Sequence, residues 1–461
     1  MKEFSNVYFL GIGGIGMSAL ARYFLHEGKR VAGYDRVRTP LTERLEAEGA
    51  DIHYEERAEA IPAPFDDPQT TIVVYTPAVP ADHAELRHFE REGFEVVKRS
   101  QMLGYLSRGK FVLAIAGTHG KTTTTTLTAW LDHEAAGGGS AFLGGVSRNF
   151  DSNLVLGAGD RLAVEADEFD RSFLRLSPDV AVITSADADH LDIYGTHEAL
   201  REAFSQFIAR IRPGGALVLK QGVDLRIDNP GIACYRYAYD TPCDFYARNI
   251  ALLNGGRYRF DLVTPSATIE DCTLGIPGWV NIENAIAAVA ALWCASERDG
   301  IPFDAARVRE ALASFEGVKR RFECYLNTPR QVYIDDYAHH PRELAAAITS
   351  VKRMFPGRRL TALFQPHLYT RTRDFYREFA EALSHADEVL LLPIYPAREE
   401  PIEGIDSQMI GRLLTVPWQL CEREELAARI GSMPTDVVVS FGAGNIDACC
   451  EALAETLRRK A

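Results

Sequence analysis

Short apolar runs bounded by glycine or acidic residues recur along this chain, with stretches of helical period between them. Val7-Tyr8-Phe9-Leu10 predicts a buried strand, and after a glycine-rich turn Met17 to His26 predicts a helix. Arg30 to Tyr34 and Thr71 to Tyr75 predict further strands. Phe111 to Ala116 is another, running into a second glycine-bearing turn and a helix; Glu134 to Ser140, with three consecutive glycines, marks that helix's end. Leu162 to Val164 and Val180 to Thr184 predict strands followed at once by acids. Tyr235 to Cys272 alternates polar and apolar positions and predicts an antiparallel segment, and Trp279 to Ala295 predicts a helix. Beyond Gly317, strands are expected at Gln331–Ile334, Leu360–Phe364, Glu388–Leu392 and Asp436–Phe441, with a helix at Arg342–Phe355. Alternation of this kind implies parallel sheets with helices on their faces, an α/β class. At 461 residues the chain exceeds one ordinary domain, and the pattern divides it into three, 1–106, 107–316 and 317–461.

Composition narrows the functions. Apolar residues make up 46% and charged residues 25%, as in globular proteins. The net charge of −14 disfavours a non-specific binder of nucleic acid or of a membrane surface, since both attract basic proteins. No apolar run approaches the ~20 residues of a bilayer span. The apolar stretch from Val7 mimics a signal peptide, but four glycines and Glu3 make it part of the fold. The eight cysteines form no C-x-x-C pair, which argues against a disulfide framework or zinc site and suits a reducing cytoplasm.

Two glycine motifs carry candidate chemistry. Gly11-Ile-Gly13-Gly14-Ile-Gly16 fits G-x-G-x-x-G, which permits a tight turn and close approach to a diphosphate at a helix N-terminus. Asp35 follows Gly16 by 19 residues, near where a ribose-binding acid falls. The ligand can be NAD or a nucleotide-sugar, and the structural alternative is a packing turn. Gly117-Thr118-His119-Gly120-Lys121-Thr122-Thr123 is more specific, because it follows a strand and opens a helix. Its backbone N–H groups suit phosphates, Lys121 suits the β/γ oxygens, and the Thr122 hydroxyl suits Mg²⁺. Ile115 replaces the first glycine of the strict pattern, and the β-branched run Thr122–Thr126 is unusual in a helix.

Polar clusters follow other strands. Glu165-Ala-Asp167-Glu168-Phe-Asp170 and Asp187-Ala-Asp189-His190-Leu-Asp192 place acids where Mg²⁺ can bind beside ATP phosphates, with Glu165 and His190 nearest the strand ends. The plain alternative is solvated loop acids. Lys319-Arg320-Arg321 is either a solvated face or a phosphate clamp. Asp335-Asp336-Tyr337-Ala-His339-His340 and Gln365-Pro-His367-Leu-Tyr369-Thr-Arg371-Thr-Arg373 follow two later strands, and together such loops suggest a site beside a reacting carbonyl.

In order, these segments resemble the Mur ligases, ATP-dependent amide-forming enzymes of peptidoglycan precursor synthesis. Gly11–Ala21, Met17 included, is similar to the family's UDP-binding loop, and Ala116–Thr124 to its ATP loop. Glu165–Leu174, Asp189–Tyr194, Arg320–Glu323, Asp335–Glu343, Phe364–Arg373 and Gly442–Ile446 resemble its later signatures. The resemblance implies an N-terminal Rossmann-like UDP-binding domain, a central P-loop ATPase domain with a parallel sheet, and a C-terminal Rossmann-like α/β domain that brings the amino acid. It implies closure of the central and third domains over the reaction. It implies ATP and Mg²⁺, with Glu165 and His190 at metal positions, Asn281 and Asn284 on the adenine side and Arg320 on the ATP side. Tyr337, His339 and Arg371 match positions near the incoming amino acid, and Lys121, His190 and His339 are the catalytic candidates. The member it resembles most adds L-alanine to the carboxylate of UDP-N-acetylmuramate, in the cytoplasm, as a monomer or homodimer, without nucleic acid or membrane insertion.

Val280 stands where relatives carry a histidine, and Leu368 where many carry a basic residue. No lysine occurs between Lys121 and Lys220, as the alanine-adding branch implies, whereas sibling ligases use a carbamylated lysine there. The rivals are a murein tripeptide-recycling ligase, an NAD-dependent oxidoreductase and a catalytically silent nucleotide sensor.

Overall fold

The computed structural model describes residues 3–188, 191–300, 303–397 and 399–461. Three sheets organise the chain. The first is five-stranded, and Asn6–Leu10 lies between Arg30–Tyr34 and Thr71–Tyr75, parallel to both. Asp51–His53 and Glu95–Lys98 complete its two sides, also in parallel. The second has ten strands. Phe111–Ala116 lies within it, parallel to Val180–Ile183 on one side and Arg161–Glu165 on the other. The third has six: Val437–Phe441 lies between Val332–Asp336 and Leu360–Phe364, parallel to both. Only its edge pair, Glu323–Asn327 with Val332–Asp336, is antiparallel among the pairings described.

The central strands are buried on both faces, which is why they read as unbroken apolar runs rather than alternating ones. Val7, Phe9, Val112, Ala114, Ile334 and Phe364 are fully enclosed. In each sheet the chain leaves one central strand between two parallel neighbours, which opens a crevice at the carboxyl ends of the strands. The glycine turns and histidine-bearing loops begin there.

The chain forms two compact units. One contains Met1–Ala247, Leu262–Ile269 and Asn284–Ala311; the other contains Arg248–Asp261, Glu270–Glu283 and Leu312–Ala461. The first carries the five-stranded sheet and the ATP-type loop, the second the six-stranded sheet.

Four of the expected elements need restatement, and one strand was not expected. Ala233–Ala238 is parallel to Ala216–Lys220 and to Phe245–Leu252, so the segment from Tyr235 begins as parallel sheet, not as the antiparallel one expected. Its burial runs along the strand rather than alternating between faces: Ala233 and Cys234 are exposed at the start while Tyr237 and Ala238 are buried at the end. The first helix begins at Ile15, two residues early, because Gly14 is already its N-cap. The long helix after Trp279 runs to Asp299. The glycine-bearing stretch after Ala135 gives way to a strand, Ser140–Ser147. Edge strand Trp418–Leu420 is short and half-exposed and has no apolar signature.

The helix Lys121–Ala135 accommodates its threonines by hydrogen bonding within itself. The hydroxyls of Thr125, Thr126 and Thr128 donate to the carbonyls of Lys121, Thr122 and Thr124 at 2.9, 2.8 and 2.8 Å. Polar side chains thereby enter the core with their hydrogen bonds made. No described helix is long and apolar enough to cross a membrane.

At the far end of this helix Arg161, 7% exposed, pairs with Asp132 at 2.6 Å and with Asp299 at 2.6 Å. Burial raises the Asp132 carboxyl from its ordinary range while Arg161 pulls it back. Removing the cation strands a buried carboxylate. Arg161→Ala is expected to lower the unfolding free energy by about 3–5 kcal/mol in urea titrations. A loss below ~1 kcal/mol would show that the pair acts as a surface bridge.

Candidate active site

The N-terminal turn is built around Asp35. Its Oδ2 accepts from the Gly13 N–H at 2.8 Å and its Oδ1 from the Val37 N–H at 3.2 Å. A side chain at Gly13 would sit 2.7 Å from Thr42 Cγ2 and 2.9 Å from Asp35 Oδ2, so glycine is needed for close approach. Gly11 has φ +83° and Gly14 caps the helix. Met17 is buried in the first turn. Gly16 lies under Arg99, where an added Cβ would be 2.9 Å from Nη1. That guanidinium makes no ion pair among the described residues and stands beside a helix N-terminus, an arrangement suited to an anion.

In the second loop Gly117 and Gly120 take φ +134° and +79°. A side chain at Gly117 would collide with Thr184 Oγ1, and one at Gly120 would lie 2.7 Å from Asn284 Oδ1. The loop is pinned from the next strand. Ser185 Oγ accepts the His119 N–H at 2.8 Å and shares a 2.9 Å hydrogen bond with Thr118 Oγ1. The Thr184 hydroxyl donates to the His119 carbonyl, and the Asp187 N–H to Thr118 Oγ1 at 3.2 Å. His119 Nε2 is 3.6 Å from Asp187 Oδ2. Thr122 is buried in the first turn, next to exposed-side Thr123, and Thr124 Oγ1 donates to Asn284 Oδ1 at 3.3 Å.

Lys121 is clamped. Its Nζ donates to both carboxylate oxygens of Glu168, at 2.8 and 2.7 Å, and stands 3.9 Å from Asp167. Glu168 is fully enclosed. Burial works against the lysine charge, but Glu168, Asp167 and Glu165 outweigh it and hold the ammonium protonated. Burial raises the Glu168 carboxyl, and Lys121 draws it back down. The turn that presents Glu168 is strained, with Asp170 and Arg171 at φ +51° and +54°. It is held by the Tyr194 hydroxyl donating to the Glu168 carbonyl at 2.6 Å and by Lys98 donating to Asp170 at 2.8 Å.

Glu165 ends the strand beside the loop strand, in register with Ile115. Its carboxylate occupies the space that a side chain at Gly144 would fill. Asp189 and His190 lie outside the described residues.

In the second unit the described loops after three parallel strands converge. Arg320, at φ +63°, donates to the Gly444 carbonyl at 3.0 Å and to that of Gly442, and stands 3.4 Å from Asp335. Arg320 is therefore not a plain solvated charge: its guanidinium is held against the Gly442–Gly444 loop and Asp335. Arg320 and Arg321 lie 5.1 and 5.0 Å from the Tyr337 ring centre. Burial pushes the Asp336 carboxyl up to about 6, against N–H groups from Ala338 and Phe322.

His339 and His340 diverge, one ring toward Tyr337 at 5.3 Å, the other toward Phe375 at 5.1 Å. His339 Nδ1 donates to the Tyr337 carbonyl at 3.0 Å, which leaves Nε2 as the basic nitrogen. Glu343 accepts both histidine backbone N–H groups, at 2.9 and 3.1 Å. His367 stacks on Tyr395 at 5.8 Å and lies 6.2 Å from the His339 ring. Burial and the Arg371 charge keep both imidazoles neutral, His367 down to about 4. Leu368 adopts φ +72° at the N-cap of Tyr369–Leu383. Asn281, 5% exposed, donates to the Pro277 carbonyl at 2.6 Å, while Val280 faces solvent.

Comparison with known proteins is direct. Residues 6–111 match the Mur ligase family, catalytic domain; 115–292 match the Mur ligase middle domain; 320–444 match the Mur ligase, glutamate ligase domain. The UDP-N-acetylmuramate–L-alanine ligase of Parabacteroides distasonis is 50% identical over 99% of this chain and 98% of its own. This chain belongs to the Mur ligase family. Its fold is similar to the UDP-N-acetylmuramate-alanine ligase of Thermotoga maritima, with TM-score 0.81 and 27% identity over 99% of this chain and 100% of that one. A murein peptide ligase from Psychrobacter arcticus shares the fold, with TM-score 0.68 and 22% identity over 98% of each chain.

Within this Mur ligase the structure brings Gly117 to Thr122, Glu165 and Asn284 into one neighbourhood, and Arg320, Tyr337, His339 and Arg371 into another. Four contributors escaped the sequence reading: Glu168, Ser185, Arg99 and His367. Glu168 and His367 stood inside motifs already singled out, but spacing alone does not tell which acid of a cluster turns toward a lysine.

The imidazole environments give a direct check. In ¹H–¹⁵N spectra of the full chain, His339 is expected to titrate below the usual 6.5 and His367 at about 4. Protonation of either near neutral pH would contradict the burial and arginine fields described.

Proposed function

We propose that this chain joins L-alanine to the carboxylate of UDP-N-acetylmuramate, converting ATP to ADP and phosphate. The observation that carries the reading is the 50% identity, spanning 99% of the chain, to a ligase of that name. The murein peptide ligase likeness, at 22% identity, is one of fold. The NAD reading is disfavoured because it leaves the Lys121 loop and its Glu168 partner without a purpose. The proposed domains are 1–106 for the UDP-sugar, 107–316 for ATP and 317–461 for the amino acid.

A carboxylate resists attack by an amine because its oxygen is a poor leaving group. One carboxylate oxygen of the muramate attacks the γ-phosphorus, the bond to ADP breaks, and an acyl phosphate results. The alanine nitrogen then attacks the acyl carbon, and inorganic phosphate departs as the tetrahedral intermediate collapses. Gly117–Thr123 is assigned to the phosphates, with loop N–H groups and Lys121 offsetting the charge that builds on the γ-oxygens. Glu168 holds Lys121 charged before ATP arrives, so the loop lysine exchanges one anion for another. Asn281, Asn284 and Arg320 are assigned to ATP, and Gly11, Gly13, Gly14, Gly16, Met17 and Asp35 to the UDP moiety, with Arg99 beside them.

The donor set suits a magnesium ion. Thr122 and Glu165 supply oxygens near the phosphate loop, and the space left by Gly144 admits the carboxylate. His190 is assigned as a further ligand. When bound, Mg²⁺ neutralises β- and γ-phosphate oxygens. Tyr337, His339 and Arg371 are assigned to the amino acid. Arg371 suits its carboxylate, and the neutral Nε2 of His339 suits removal of a proton from its ammonium group.

The deciding assay is phosphate release from Mg·ATP with UDP-N-acetylmuramate and a panel of amino acids and peptides. Release that requires the UDP-sugar and is greatest with L-alanine is expected; release with a tripeptide alone would move the chain to the recycling branch. Lys121→Ala is expected to abolish ADP formation and leave UDP-sugar binding within about twofold. Equal loss of both would show that Lys121 acts through folding. Glu165→Ala is expected to raise the Mg²⁺ requirement, and an unchanged requirement would remove Glu165 from the metal shell.

A further inference from the structure

A cavity of about 610 Å³ opens in the first unit, away from the Lys121 loop. Arg108, Arg175, Arg210 and Arg212 line it, against one carboxylate, Glu95. Its place in the sheet separates it from the site described above. Arg212 donates to the Lys110 carbonyl and to Asp179, both at 2.8 Å, and Asp179 accepts the Val112 N–H at 2.7 Å. Lys110 and Asp179 stand just before the strands Phe111–Ala116 and Val180–Ile183, whose other ends run into Gly117 and Thr184. The cavity thus faces the amino ends of strands whose carboxyl ends bear the phosphate loop. Six residues of strand separate the two by about 20 Å.

The wall is a built one. Helix Arg99–Leu106 approaches the Arg175 backbone so closely that a side chain at Gly104 would stand 2.6 Å from the Arg175 carbonyl oxygen. Tyr105 adds a ring, 5.7 Å from the Arg108 guanidinium. Of these four arginines, Arg212 alone has a carboxylate partner among the described residues. Arg108, Arg175 and Arg210 make no ion pair among the described residues, although acids outnumber bases 64 to 50 in this chain. Gathering unpaired guanidiniums around one concavity raises their mutual repulsion, and a multivalent anion relieves it. Their forked donors match phosphate and carboxylate oxygens, and the volume is that of a small-molecule site.

We infer that this cavity binds a small anion carrying two or more negative charges, of the phosphate or polycarboxylate class, apart from the substrate sites. The inference does not depend on the ligase reading. The test is isothermal titration of the full chain without divalent cations, using inorganic pyrophosphate as probe and citrate as a second probe. Wild type and Lys121→Ala are expected to bind alike. The double variant Arg175→Glu/Arg210→Glu, on exposed positions, is expected to bind at least about tenfold more weakly while melting at the same temperature. Glu95→Gln is expected to tighten binding, a change that misfolding does not produce. Binding of pyrophosphate alone assigns the site to phosphates, and binding of both probes assigns it to multivalent anions generally. Loss in Lys121→Ala with retention in the arginine variant, equal binding in all variants, or no binding of either probe overturns the inference.

Discussion

A buried lysine cannot stay charged without a partner, and in this chain the partner of Lys121 is Glu168. Enclosing either ion alone would cost several kcal/mol, so the pair fixes everything that presents it. The glycine turn must deliver the lysine at the start of its helix. The acidic loop must bend through left-handed backbone at Asp170 and Arg171 to bring the carboxylate back. Tyr194 and Lys98 then secure that bend from two other elements. The lysine therefore sits oriented and protonated before any phosphate approaches, and a phosphate has to offer more than a carboxylate already does.

The second unit solves a different electrostatic problem. Arg320, Arg321 and Arg371 surround two imidazoles that burial already disfavours as cations. A neutral imidazole among guanidiniums retains a lone pair at pH values where an exposed histidine would share it with a proton. Under the proposed reaction, carboxylate binding and proton removal ask for opposite charge states, and the proposal puts them on different side chains.

The central strands were legible in the sequence because parallel strands buried on both faces are apolar throughout, as Arg30–Tyr34, Thr71–Tyr75, Phe111–Ala116 and Leu360–Phe364 show. Two strands farther from the centre of the ten-stranded sheet were less so. Ser140–Ser147 contains Gly144, whose missing side chain makes room for Glu165, so close packing against that carboxylate erased part of the strand signal. Ala233–Ala238 enters its sheet exposed and leaves it buried, and the resulting mixture of polar and apolar residues suggested the wrong pairing direction. At the site, motif order carried the family and the loops. It did not carry Glu168, whose direction depends on two left-handed residues, nor Arg99, which reaches Gly16 from a distant helix. Nor did it carry the surroundings of Arg320: the run could be a solvated face or a phosphate clamp, and its guanidinium reaches a glycine loop 122 residues away.

The threonine helix behind the phosphate loop has one more consequence. Because the hydroxyls of Thr125, Thr126 and Thr128 answer their own helix, a segment that is hydrophilic on paper presents their methyl groups to its surroundings. The helix thus behaves as an insulating sleeve, with methyl groups packed behind the lysine at its tip. Replacing those threonines by valine would preserve the shape of that insulation, whereas serine would preserve the hydroxyls and thin the sleeve.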